Sequence, residues 1–233
     1  MNALIIARRE LSAILTSPRA YGVGATFLFV IGLLFFFTVA FHQVATLLQV
    51  FYGTAVGLLF IAPVLTMRLF SREARSGTLE LLLTAPIRNW EVVLGKFLAV
   101  ILFFMLLLSP TLVYLILLAG YGQPDLPVTL SGYLGVVLLA MMLMSLGLLS
   151  SALTTHHVVA AALAIGLSLF FGLIGELSIL FDGAVGNILS YLSFQTHFTD
   201  FVAGLVTTNN IIYFLSITLA ALFITTQVLQ VRR

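Results

Sequence analysis

Half of the basic side chains in this 233-residue chain fall in one run, RLFSREARSGTLELLLTAPIRNWEVVLGK, from Arg68 to Lys96. The same run holds Glu73, Glu80 and Glu91, three of the eight acidic residues. Leu79, Leu82 and Leu83 add an apolar face to this charged segment. That combination fits a protein partner, or leucines tucked against the inner ends of the flanking apolar runs. Patterns for bond-making chemistry are missing. Gly95-Lys96 is followed by Phe97, with no glycine at the Walker distance, and there is no G-x-S-x-G, H-E-x-x-H or Rossmann fingerprint. His156-His157 reads as a solvated turn, and zero cysteines exclude thiol-bound zinc, an Fe–S cluster and disulfides. No metal site is expected.

The elements carrying these residues follow from composition. The chain is 61% hydrophobic and only 8% charged, with a mean hydropathy of +1.20. Soluble domains carry about 25% charged residues, so a soluble enzyme, a disordered regulator and a nucleic-acid binder are excluded. A bilayer core needs roughly 20 apolar residues in helix. Six stretches meet this: Tyr21–Phe41, Val50–Met67, Phe97–Ala119, Leu130–Ala152, Val158–Leu180 and Asn210–Gln230. The expected fold is all-α and polytopic, one membrane domain over 1–233. Ser109-Pro110 predicts a kink within the third span. The first span is too long for a signal-peptide h-region.

All ten basic residues lie before the first span, between the second and third, or after the sixth. Positive charge stays inside, so both termini are expected in the cytoplasm. Three segments are not simple spans. Residues 1–20 form an interfacial helix with Leu4, Ala7, Leu11, Ile14 and Leu15 on its apolar stripe and Arg8 and Arg9 toward head groups. In the loop 68–96, Ser71–Thr84 reads as a helix with Gly77 as a weak point and Pro86 as a stop, and Asn89 caps the third span. The extracytoplasmic stretch 181–209 repeats Phe194, Phe198, Val202 and Leu205 at helical spacing, which predicts a re-entrant helix packed on the spans. Its Gln195, His197 and Asp200, with Glu176 near the outer end of the fifth span, are the candidates for a pathway or outer gate. Glu176 either lines a wet vestibule or reaches head groups.

The run from Arg72 through Ser76-Gly77-Thr78-Leu79-Glu80 to Pro86, followed by Gly95-Lys96, resembles the signature of ABC-2 type ABC transporter permeases. It is similar in particular to the permease of the gliding-motility-associated transporter, and more loosely to those of nitrous-oxide-reductase maturation systems. The resemblance extends over the whole chain. It implies an exporter subunit in the inner membrane of a prokaryote, whose loop 68–96 is a coupling helix docked on a separate cytosolic ATPase. Arg72, Glu73, Gly77, Thr78, Leu79 and Glu80 would make that contact, with Arg8, Arg9 and Leu11 of the connecting helix beside them. It further implies a second permease copy, identical or paired, and ATP with Mg bound by the ATPase and no cofactor by this chain. Membrane lipids are the remaining partner. Competing readings are a membrane anchor that recruits an ATPase without transport, and an ion-driven secondary transporter. Scattered Ser and Thr on greasy walls suit lipids, glycans, peptides or drugs equally.

Overall fold

The computed structural model describes residues 2–42, 46–77, 88–121, 125–181 and 183–231. Among the described residues every regular element is helical and there are no strands. Helix α1 (Asn2–Leu15) ends at Ser17, whose carbonyl accepts from Ala20 N at 3.1 Å, and Pro18 opens α2 (Pro18–Phe37). Proline suits that position because its missing N–H would have no helical partner there. A π turn, Thr38–His42, continues α2. Then come α3 (Leu48–Thr66) and the short α4 (Ser71–Ser76).

The third span is α5 (Asn89–Leu108), a 3-10 turn at Ser109–Thr111 and α6 (Leu112–Tyr121). Pro110 cannot donate to the carbonyl of Leu106, and the Ser109 hydroxyl does so instead, at 2.8 Å. The predicted kink is therefore a single tightened turn through which the span runs on. Helices α7 (Leu126–Leu153), α8 (His157–Leu177) and α11 (Thr208–Val231) complete six elements long and apolar enough to cross a membrane. They match the six stretches read from the sequence.

Helix α7 is the axis. In its most apolar 18 residues 78% are buried, against 28% for α2 and α8. Helices α3, α5, α8 and α11 all pack on it, and α2 packs on α3 and on α5 through Phe27–Phe104. Glycines of α7 let neighbours approach closely: a Cβ at Gly135 would lie 2.6 Å from that of Phe201. Most buried hydroxyls of the spans donate to the carbonyl one turn back, as Thr54 does to Val50 and Thr225 to Ala221, both at 2.7 Å. Such groups are satisfied within their own helix, as hydrocarbon requires.

Between α8 and α11 lie α9 (Ala184–Leu192) and α10 (Phe194–Val202), a V with its corner at Ser193. Phe194, Phe198, Phe201 and Val202 are buried against α3, α7, α8 and α11. Gly135, beside Phe201, is about 14 Å along α7 from Leu126 by helical rise. The V thus inserts well below the start of α7, as the phenylalanine spacing predicts. Leu205, grouped with them from spacing, is 59% exposed: the helix stops at Gly204, whose φ of +87° turns the chain away.

Candidate functional site

The end of the bundle holding the described basic side chains carries an elbow between α3 and α4. Thr66 ends α3, and Met67–Phe70 turn the chain. Ser151, near the end of α7, holds this turn: its Oγ accepts from the N–H groups of Phe70 and Ser71, each at 3.1 Å, and donates to the Met67 carbonyl at 3.0 Å. Phe70 is fully buried below the turn. One hydroxyl therefore satisfies two backbone N–H groups that the helix break would leave without partners, and shares the Met67 carbonyl with the Ser71 hydroxyl.

A second clamp comes from α5. Lys96, one residue before its apolar run, is buried at 1% exposure. Its Nζ lies 2.7 Å from Glu73 Oε1 on α4 and 3.1 Å from Glu10 Oε1 on α1, and 5.3 Å from the centre of the Phe70 ring. An ammonium can serve two carboxylates at once because it donates in three directions. Three segments that are remote in sequence are thus tied at one cation. Glu91 adds a lighter tie: its Oε2 accepts from Arg88 N at 3.1 Å and from the Asn2 side chain at 3.3 Å.

Of the stripe predicted for α1, Ala7, Leu11, Ile14 and Leu15 pack on the core together with Ile6 and Glu10, and only Leu4, 68% exposed, lies off it. The helix turns Glu10 inward to meet Lys96, and Gly95 lets α1 lie on α5, since a Cβ there would stand 2.7 Å from Ile6. Arg8 and Arg9 are exposed and Leu11 half-buried. Two further corrections concern the loop. Helix α4 stops at Ser76 because Gly77 takes the left-handed φ of +72°, so that glycine ends the helix where the sequence predicts only a weak point. The cap of α5 is Arg88, one residue before the predicted Asn89. Glu73 joins the clamp, Arg72 is exposed, and Thr78, Leu79 and Glu80, with the predicted stop at Pro86, lie outside the described residues.

At the opposite end the candidate gate residues divide. Glu176 and Gln195 are exposed, whereas His197 is buried. Asn210 Nδ2 donates to Asp200 Oδ2 at 2.8 Å, which leaves Asn210 Oδ1 facing His197 Nδ1 at 2.7 Å. His197 Nε2 faces the Tyr191 carbonyl at 2.9 Å, and its ring stacks on Tyr213 with centroids 4.0 Å apart. Both ring nitrogens therefore have an oxygen partner, and Asn210 links the ring to the Asp200 carboxylate. The network pins α10 to α11 and to the last turn of α9.

A family model described as an ABC-2 family transporter protein matches residues 4–232. The chain belongs to the ABC-2 transporter family. No curated protein matches it. This ABC-2 chain is accordingly a membrane permease component of an ABC transporter, and a multi-pass membrane protein. The match is to the family as a whole and does not single out the gliding-motility branch.

Sequence reasoning missed Glu10, Lys96, Ser151 and Asn210 in this ABC-2 permease. Glu10 had a signal: it is the one acid in α1, at helical spacing from Ala3 and Ile6. Lys96 had one too, as a cation directly abutting an apolar run, like Arg68. Ser151 and Asn210 had none, because a lone hydroxyl or amide at a span end is recognisable only when its partners are known.

Proposed function

We propose that the protein is the permease half of a prokaryotic exporter, with the arginine-bearing end in the cytoplasm and a separate ATPase gripping α1, α4 and the segment 78–87. Arg8, Arg9 and Leu11 from α1 and Arg72, Glu73, Gly77, Thr78, Leu79 and Glu80 from the loop form the grip. ATP and Mg bind in the ATPase, and its closure pushes the elbow.

The observation that carries this reading is Lys96 joining Glu10 and Glu73. A push on α1 or α4 is passed to α5 as one body, and α5 packs on the central α7. A second permease copy packs on the apolar faces of α2 and α8, the two least buried spans. The two halves then rock against each other and open a path between them, with the V of α9 and α10 and the residues Glu176, Gln195, His197 and Asp200 at its outer mouth.

The test is co-expression with a candidate ABC ATPase subunit, chosen from any reading frame found next to this one. The expected result is a complex that survives purification, with hydrolysis raised by the permease and transport uncoupled from hydrolysis by Glu80→Arg. A chain that never captures the ATPase, or Glu80→Arg with unchanged substrate-stimulated hydrolysis, overturns the reading. Since the chain lacks cysteine, one introduced at Arg75 reports by labelling from each side which face of the membrane the elbow occupies.

A further inference from the structure

A cavity of about 580 Å³ opens at the arginine-bearing end, between α1, the first turns of α2, the last turns of α3 and α4. A second, of about 360 Å³, adjoins it. Arg19, Arg68 and Arg72 line both. Arg68 is half-buried, and none of the three forms an ion pair with a described residue. The two acids of the larger cavity, Glu10 and Glu73, are already engaged with Lys96. Three guanidinium groups around one opening, Arg68 half-buried and Arg19 and Arg72 exposed, repel one another, and their forked donors suit an anion brought from outside.

The remaining walls say which kind. The larger cavity has an apolar side formed by Ile14, Val23, Val64 and Leu65, and Val64 is exposed on the outer surface of α3 at 39%. That wall continues onto the surface that meets hydrocarbon. A freely soluble anion has no use for it, whereas acyl chains do. The smaller cavity adds Thr155 and His157 beside the arginines, while the Ser71 and Ser76 hydroxyls on its wall donate to the carbonyls of Met67 and Glu73.

We infer that this double cavity binds the head group of an anionic phospholipid from the adjoining leaflet, its phosphate between Arg19, Arg68 and Arg72 and its acyl chains along Val23 and Val64. The bound lipid neutralises the cluster and cements α1 and α4 to the ends of α2 and α3. Arg72, which the coupling proposal gives to the ATPase, here faces the phosphate, and a test run without any ATPase keeps the failure of one reading distinct from the failure of the other.

The test uses the purified full-length protein in detergent without any ATPase. Short-chain phosphatidylglycerol, short-chain phosphatidylcholine and inorganic phosphate are titrated separately, with binding read by native mass spectrometry and by the shift in melting temperature. Phosphatidylglycerol is expected to bind and stabilise, and the other two are not. Arg19→Gln, an exposed position that leaves the packing intact, weakens binding about fivefold, and Arg68→Gln does the same. Arg8→Gln, exposed on α1 but outside both cavities, leaves it unchanged. Equal binding of phosphatidylcholine would show an apolar groove only. Displacement of the lipid by millimolar phosphate would show a soluble-anion site. Equal weakening by Arg8→Gln and Arg19→Gln would show diffuse surface charge. Each of these results overturns the inference.

Discussion

Lys96 Nζ stands 2.7 Å from the carboxylate of Glu73, with the side chain of Lys96 2% exposed and that of Glu73 20%. A buried ion is stable only while its partners remain. Lys96→Met removes the buried cation that Glu73 and Glu10 share, leaving Glu10 with the exposed Arg9 at 3.5 Å, and is expected to cost about 3–5 kcal/mol. The triple change Glu10→Gln, Lys96→Met, Glu73→Gln removes the charges together and is expected to recover most of that loss. Melting temperatures of the single and triple variants in one detergent check both statements. A triple variant no more stable than Lys96→Met refutes the account.

Gly95→Val drives a side chain into Ile6 and the Ala3 carbonyl, 2.7 and 2.9 Å from where its Cβ would sit. Overpacking of this kind costs about 1–3 kcal/mol, and here lifting α1 off α5 relieves it. Ala7, 3% exposed beneath α1, is the reporter. With Cys at position 7 as the sole thiol, maleimide labelling is expected to be slow in the parent and at least tenfold faster with Gly95→Val. Equal rates would mean that α1 holds its place.

The legibility of the fold and of the site differ for a physical reason. The six spans are set by a requirement acting on every residue, the satisfaction of backbone groups in hydrocarbon, and their runs are visible in hydropathy alone. The elbow depends on single polar atoms. Sorting α1 by hydrophobicity placed Leu4 on the packed stripe and passed over Glu10, because the stripe is selected by what Gly95 and Lys96 offer across the contact. Phe194, Phe198 and Val202 were readable because aromatic bulk at helical spacing must be buried somewhere. The partners of His197 were not, since Asn210 reaches it from another helix.

Ser151→Ala removes the hydroxyl that accepts from Phe70 N and Ser71 N and that shares the Met67 carbonyl with the Ser71 hydroxyl. The change is almost isosteric, so the loss is of hydrogen bonds and not of packing. About 1–3 kcal/mol of local stability is expected to go, concentrated at the elbow. Hydrogen exchange resolved by mass spectrometry is expected to speed up over 67–76 while α11 stays protected. Uniform acceleration along the chain would contradict a local role.

Asn210→Leu deprives His197 and Asp200 of their bridge at once. His197, packed among Tyr191, Tyr213 and Phe214, and the half-buried Asp200 then lack their common partner, and a cost of about 1–3 kcal/mol is expected. In a double-mutant cycle with His197→Gln the two changes are expected to be non-additive by at least 0.5 kcal/mol, which is the signature of groups in one network. Additive losses would separate the two residues.

The encirclement of α7 bears on how the chain is made. During translation the fourth span leaves the ribosome before the helices that will cover two of its flanks exist, and its glycine-lined notch for Phe201 is open to lipid until the carboxyl-terminal third arrives. Insertion of the last hairpin is therefore the step that closes the sheath. Chains halted before Thr208 present an unfinished groove to quality-control proteases, and a nascent-chain series of increasing length would register the moment of closure as the onset of protease resistance.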